Sequence, residues 1–328
     1  MVLAEQEGDA SEETGGIAAR VEVQNGSRGG PPEGSSECAA APLPSPRHRL
    51  QPSIRLTVTT MLAEAISALF TGHYDLIFVP VALPEPLVRA LLPSEWGNAD
   101  DAFLSNDQLA QAAGVAQLPD PGHGKRWVCV EAGKQVDTGV NYVPMGKSTF
   151  FEAKVEVPFL RHPQVKTSSP PIPFTFKTVV LFSSRLMSFS SNHMTGLRSH
   201  HAVCIRTESS YEAMDWLEIK NEGEAVVPEG TRWTEELARK VLEGWWVGEN
   251  TGHAASKFIA TTVDPAKPRP QLRVRLNLPA LTSLTPERIK ELAAGTVEVE
   301  ENGWVAVDAA GFDMSESTKM QMAQLSSL

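Results

Sequence analysis

Short runs of strand chemistry, without helices regularly between them, most limit the folds open to this chain. Residues 272–278 alternate apolar with polar side chains, the pattern of a strand with one dry face. Residues 76–81 form a continuous apolar run of strand length. Further strand-like segments fall at 54–59, 127–130, 150–157, 176–182, 202–207, 216–220 and 258–263. Residues 296–308 read as a hairpin, because Asn302-Gly303 favours a turn with φ > 0 at both positions. Helices are fewer. A short one is predicted at 86–92 and a longer one at 231–247, with Trp233, Leu237, Val241, Leu242 and Trp245 on one stripe. A third is predicted at 285–294, with Thr285 as N-cap, Pro286 at N1 and Gly295 after the end. About ten strands and three helices without β–α alternation predict an α+β, mainly β fold. The expected architecture is one large antiparallel sheet, curled into a closed or partly closed barrel with a few peripheral helices.

The first fifty residues differ from the rest. They hold 7 Gly and 5 Pro and no aromatic residue, the first of which is Phe70. Such a segment buries too little apolar surface to offset the entropy of ordering. Residues 1–52 are therefore expected to be a disordered tail, 53–313 one domain, and the Ser- and Met-rich 314–328 a frayed tail. Glu5, Glu7 and Asp9 stand where a secretory signal would carry basic residues. No apolar run approaches the roughly 20 residues of a membrane-spanning helix. The net charge of −11 argues against nucleic acid or an anionic membrane as partner. Cys38, Cys129 and Cys204 form no CxxC and read as reduced thiols, so a cytoplasmic protein is expected. The expected partner is a small molecule, and a homo-oligomer is compatible with the sequence.

Motif chemistry is sparse. His193, His200 and His201 lie close in sequence but make neither HExxH nor HxH, so no metal is predicted. Gly146-Lys147-Ser148 resembles the end of a phosphate loop. It lacks the earlier glycine and leads into a strand, so no cofactor is predicted. Ser183-Ser184 and Ser190-Ser191 carry no nucleophile elbow. In 150–158, alternation places Glu152, Lys154 and Glu156 on one face. That face is either solvated or a charged row in a cavity. A lysine buried between two carboxylates would be held charged.

Residues 83–96 (LPEPLVRALLPSEW), Phe150-Phe151-Glu152 with Val157-Pro158, and 176–187 (FKTVVLFSSRLM) together resemble the acetoacetate decarboxylase family over roughly 70–200. The resemblance implies a cone-shaped β-barrel enclosing an apolar pocket for a small carbonyl or carboxylate compound. The family's decarboxylases form a Schiff base on a lysine. Carrying the pattern on without gaps puts Ser199 at that lysine and Ser191-Asn192-His193 at the preceding turn. No lysine occurs between Lys177 and Lys220. Imine-based decarboxylation is therefore not expected, unless Lys154 or Lys177 reaches the pocket. The expected site has Glu152 and His193 as proton-transfer groups and Arg198, Ser199 and Phe150 as substrate contacts. A non-catalytic ligand-binding or scaffold barrel is the alternative.

Overall fold

The computed structural model describes residues 70–113, 118–140, 147–165, 170–222 and 233–328. The expected tail at 1–52 and the strand at 54–59 lie outside the described residues. The chain opens with β1 (Phe70–Pro84), then three short helices, α1 (Glu85–Ala90), α2 (Ser94–Gly97) and α3 (Asn106–Ala113). Three long strands follow: β2 (Lys125–Val140), β3 (Lys147–Leu160) and β4 (Phe174–Phe182). Helix α4 (Arg185–Met194) leads to the short strands β5 (Ser199–His201), β6 (Cys204–Arg206), β7 (Ser210–Ala213) and β8 (Leu217–Lys220). Then come α5 (Glu235–Leu242), β9 (Trp245–Val247), β10 (Ala254–Val263) and β11 (Lys267–Asn277). The last elements are α6 (Leu278–Thr282), α7 (Pro286–Ala293), β12 (Glu298–Val299) and β13 (Trp304–Gln324).

The fold is mainly β, in one large sheet. Its order is β1-β2-β3-β4-β9-β10-β13-β11-β8-β7-β6, and β1 also pairs with β13. Seven strands thus pair in a ring. The sheet is mixed rather than antiparallel as expected: β4 runs parallel to β9 on one stretch and to β5 on another. Helix α4 carries the chain back far enough for β5 to run alongside the last three residues of β4, and β9 lies along its first three.

Both faces of β1, β2, β3 and β4 are buried over much of their length, which explains their near-continuous apolar runs. On β1, Ile77, Val79 and Val81 join a large core with Val155, Leu181, Tyr211, Leu217 and Leu272, together with Leu87 of α1 and Ile289 of α7. The alternate residues Tyr74, Leu76 and Phe78 face the other way, toward Trp233, Leu237 and Val241 of the α5 region. Trp233 packs on Phe78, Trp127 and Phe159 as a core residue.

Several expected boundaries are corrected. Residues 314–328 are not a frayed tail: β13 runs to Gln324 and pairs with β1 and β10. Met314, Glu316 and Thr318 point inward and are buried, so polar residues at inward positions hide the period. The helix expected at 231–247 is shorter. Thr234 caps it, accepting from the Leu237 N–H at 3.2 Å, and after Glu243 and Gly244 the chain becomes strand β9. In the hairpin at 302–303 only Gly303 has positive φ (85°). The α7 cap is as expected, with Thr285 accepting from the Arg288 N–H at 3.3 Å.

Candidate binding site inside the strand ring

The site is built by alternation. On β3 the outward residues Ala153, Val155 and Val157 enter the large core, so Phe150, Glu152, Lys154 and Glu156 point into the ring. Register places Lys154 opposite Glu131 of β2, and Glu156 opposite Lys177 of β4. A register shift beside this last pair lets Lys177, Val180 and Phe182 share the inward face. The charged row of β3 is therefore buried, not a solvated face: Glu152, Lys154, Glu156, Glu131 and Lys177 are each at most 3% exposed.

The ammonium of Lys154 sits 2.7 Å from Glu131 and 3.1 Å from Glu152. It also lies 4.3 Å from the centre of the Tyr74 ring, contributed by β1. Lys177 donates to Glu156 and stands 5.1 Å from the Trp246 ring. Gln135 donates to the second oxygen of Glu152. Burial alone would push Lys154 toward its neutral form, but Glu131 and Glu152 outweigh it and hold its pKa well above the lysine value. Burial raises Glu152 against the pull of Lys154. Burial, reinforced by Glu131, raises Glu156 to about 7. Burial also opposes the charge on Glu131, yet Lys154 and Lys177 prevail and lower its pKa.

A cavity of about 100 Å³ adjoins this row, space of the size that holds a small organic molecule rather than a lone water. Its apolar wall includes Phe150, Phe182, Met187, Trp246, Phe258 and Met320. Its polar lining is Gln135, Glu152, Lys154 and Lys177 from the strands, with Ser190, Ser191 and Thr195 from α4 and its C-cap. Helix α4 starts at Ser184, whose hydroxyl accepts from the Met187 N–H at 3.4 Å.

Of the five residues expected at the site, Glu152 and Phe150 line the cavity and three do not. His193 is exposed at the end of α4, donating from Nδ1 to the Phe189 carbonyl one turn back at 2.8 Å. Arg198 donates to the carbonyls of Leu281 (2.8 Å) and Ala280 (3.0 Å), so its guanidinium caps α6 instead of holding a ligand. Ser199 is buried behind α4, its hydroxyl 2.8 Å from that of Ser191 and its N–H on the Asn192 side chain. Both alternative lysines, Lys154 and Lys177, do line the cavity. Glu131 was missed as a site residue, and Lys177 was expected there only as an alternative lysine. Their signal is a lone charge inside an otherwise apolar strand, WVCVEA and FKTVVLF. Among the described residues no group of three or more His, Cys, Asp or Glu is placed to hold a metal ion. No helix there is long and apolar enough to cross a membrane.

No protein-family model matches the chain, and no curated protein matches it. Solved structures align at low identity. The acetoacetate decarboxylase from Legionella pneumophila is 12% identical, over 77% of this chain and 87% of that one, with a TM-score of 0.43. An acetoacetate decarboxylase-like enzyme from Sphingomonas wittichii RW1 is 8% identical, over 79% and 93%, with a TM-score of 0.38. The enduracididine biosynthesis enzyme MppR, complexed with the condensation product of pyruvate and imidazole 4-carboxaldehyde, is 8% identical over 78% and 89%, with a TM-score of 0.40. The chemistry of this pocket has to be read from its own residues.

Proposed function

We propose that the strand ring is the wall of a small barrel whose interior binds a small, largely apolar compound by its carbonyl or carboxylate oxygen, and that the chain moves a proton on that compound without forming an imine. The observation that supports this reading is the fixed Lys154 ammonium between Glu131 and Glu152 on the cavity lining. An amine must be neutral to attack a carbonyl, and this one is held charged. An ammonium has three N–H donors. Glu131 and Glu152 take two, and a ligand oxygen would take the third in place of its weaker contact with the Tyr74 ring. Charge developing on that oxygen as a neighbouring C–H bond ionises would be met by a donor already in place. Glu152, raised by burial and held by Gln135, is the base on the cavity side.

The test is proton exchange. In D2O the protein is expected to exchange the α-protons of pentan-2-one faster than buffer does, and Glu152→Gln to remove the excess. NMR reads both, and exchange no faster than buffer would sink the proton-transfer reading. A second reading is an imine on Lys177, favoured because Lys177 lines the same cavity with one carboxylate partner instead of two. Borohydride trapping with acetoacetate separates the two. The first reading expects no lysine adduct; label on Lys177 would replace it with the second.

A further inference from the structure

The charges inside the ring do not balance. Glu131, Glu152 and Glu156 face only Lys154 and Lys177, so full ionisation leaves one negative charge in excess. The other ionisable groups nearby do not correct this. Tyr74 of β1 and Cys129 of β2 are both pushed by burial toward their neutral forms. Glu316 of β13 shares Arg239 of α5, at 3.3 Å, with Glu235, so that side adds no positive charge to spare. Glu131 and Glu156 lie diagonally on adjacent strands, both buried, on the same inward face. Two carboxyl groups so placed, with burial and Glu131 raising Glu156, share the excess charge best when one of them carries a proton. The proton that neutralises the interior therefore has a place to reside.

An entering carboxylate meets no unpaired cation among the described residues of the cavity lining, because both lysines are already paired. It would add a second uncompensated charge to a buried cluster, which is strongly disfavoured. We infer that an anionic ligand enters this pocket only together with a proton, held by the Glu131–Glu156 pair, whereas a neutral carbonyl compound enters without one. This rests on the ligand-binding reading above and adds the class of ligand and its coupling. Above neutrality the pair is ionised and the proton must come from solvent. Below it the proton is already present. Neutral ketones are thus the compounds the pocket takes at any pH, and carboxylates are admitted on its acidic side.

The experiment is calorimetric titration with butanoate and with pentan-2-one, run at pH 6 and pH 8 in buffers of different ionisation enthalpy. Butanoate at pH 8 is expected to bind with uptake of about one proton, and its affinity to fall about tenfold per pH unit above neutrality. At pH 6 the uptake should be small. Pentan-2-one should bind with no proton uptake and with the same affinity at both values. Glu156→Gln replaces the protonated member by a neutral one, and Glu131→Gln, should the first variant not fold, removes the same excess charge from the pair. Either should bind butanoate at pH 8 without proton uptake. Butanoate bound by the unmodified protein at pH 8 without a proton, or with pH-independent affinity, overturns the inference and leaves the ligand-binding reading standing. If neither compound binds, the ligand-binding reading fails and this inference falls with it.

Discussion

Lys154 is the residue on which the interior depends most. Its ammonium compensates Glu131 directly and Glu152 as well, in a place shielded from bulk solvent. Lys154→Met would leave both carboxylates without that partner, and removing one member of a buried ion pair costs about 3–5 kcal/mol. Chemical denaturation should show a loss of that order, with part regained in Lys154→Met/Glu131→Gln. A loss below about 1 kcal/mol would mean that the row is wetter than its burial indicates. The row was legible as a row: alternation in 150–157 groups Glu152, Lys154 and Glu156. What alternation cannot supply is which face is dry, and here both are, because Val155 enters one core and Lys154 the other side. His193 and Arg198 were misplaced for a different reason. A gapless count carried a turn across 185–194, where the chain forms a helix, and the two side chains are taken by carbonyls of α4 and α6.

Among the elements, β13 holds the most together. Its first half pairs with β11, and its second half lies in the ring between β1 and β10. Gly311 stands where it passes β1: a Cβ there would come within 2.4 Å of the Phe78 carbonyl oxygen. A chain ending after Asp313 is expected not to fold, because β1 and β10 would each lose a ladder and the inward Met314, Glu316 and Thr318 would be gone. Soluble expression and a native circular dichroism spectrum from that truncation would contradict the role given to β13. The α7 start was legible because Thr285, Pro286 and Glu287 act locally. The end of β13 was not, because its inward residues include a carboxylate and a threonine whose partners are far away in sequence.

For the whole molecule, buried carboxyls and a buried imidazole act in opposite directions on how stability depends on pH. Burial raises Glu316 to about 7, against the pull of Arg239, and raises Glu156 to about 7. The folded chain keeps these protons where the unfolded chain releases them near 4.5, so stability falls as pH rises from there through 7. His162, edge-on to Trp96, is lowered by burial to about 4. The unfolded chain therefore takes up its proton first, and its contribution to stability falls as pH drops from about 6.5 toward 4. Two carboxyls outweigh one imidazole across this range, so the melting temperature should fall as pH rises from about 5 to 8; a higher value at pH 8 than at pH 6 would refute this balance. The ring itself has one thin stave. Strand β9 meets β4 through three residue pairs and β10 through one, Ser256 with Trp246. The same Trp246 forms part of the cavity wall. Fraying of β9 is thus the least costly way to part the ring, and the amides of 245–247 should exchange with deuterium well before those of β1 and β2. The pocket would then open at a pace set by how often one short strand lets go.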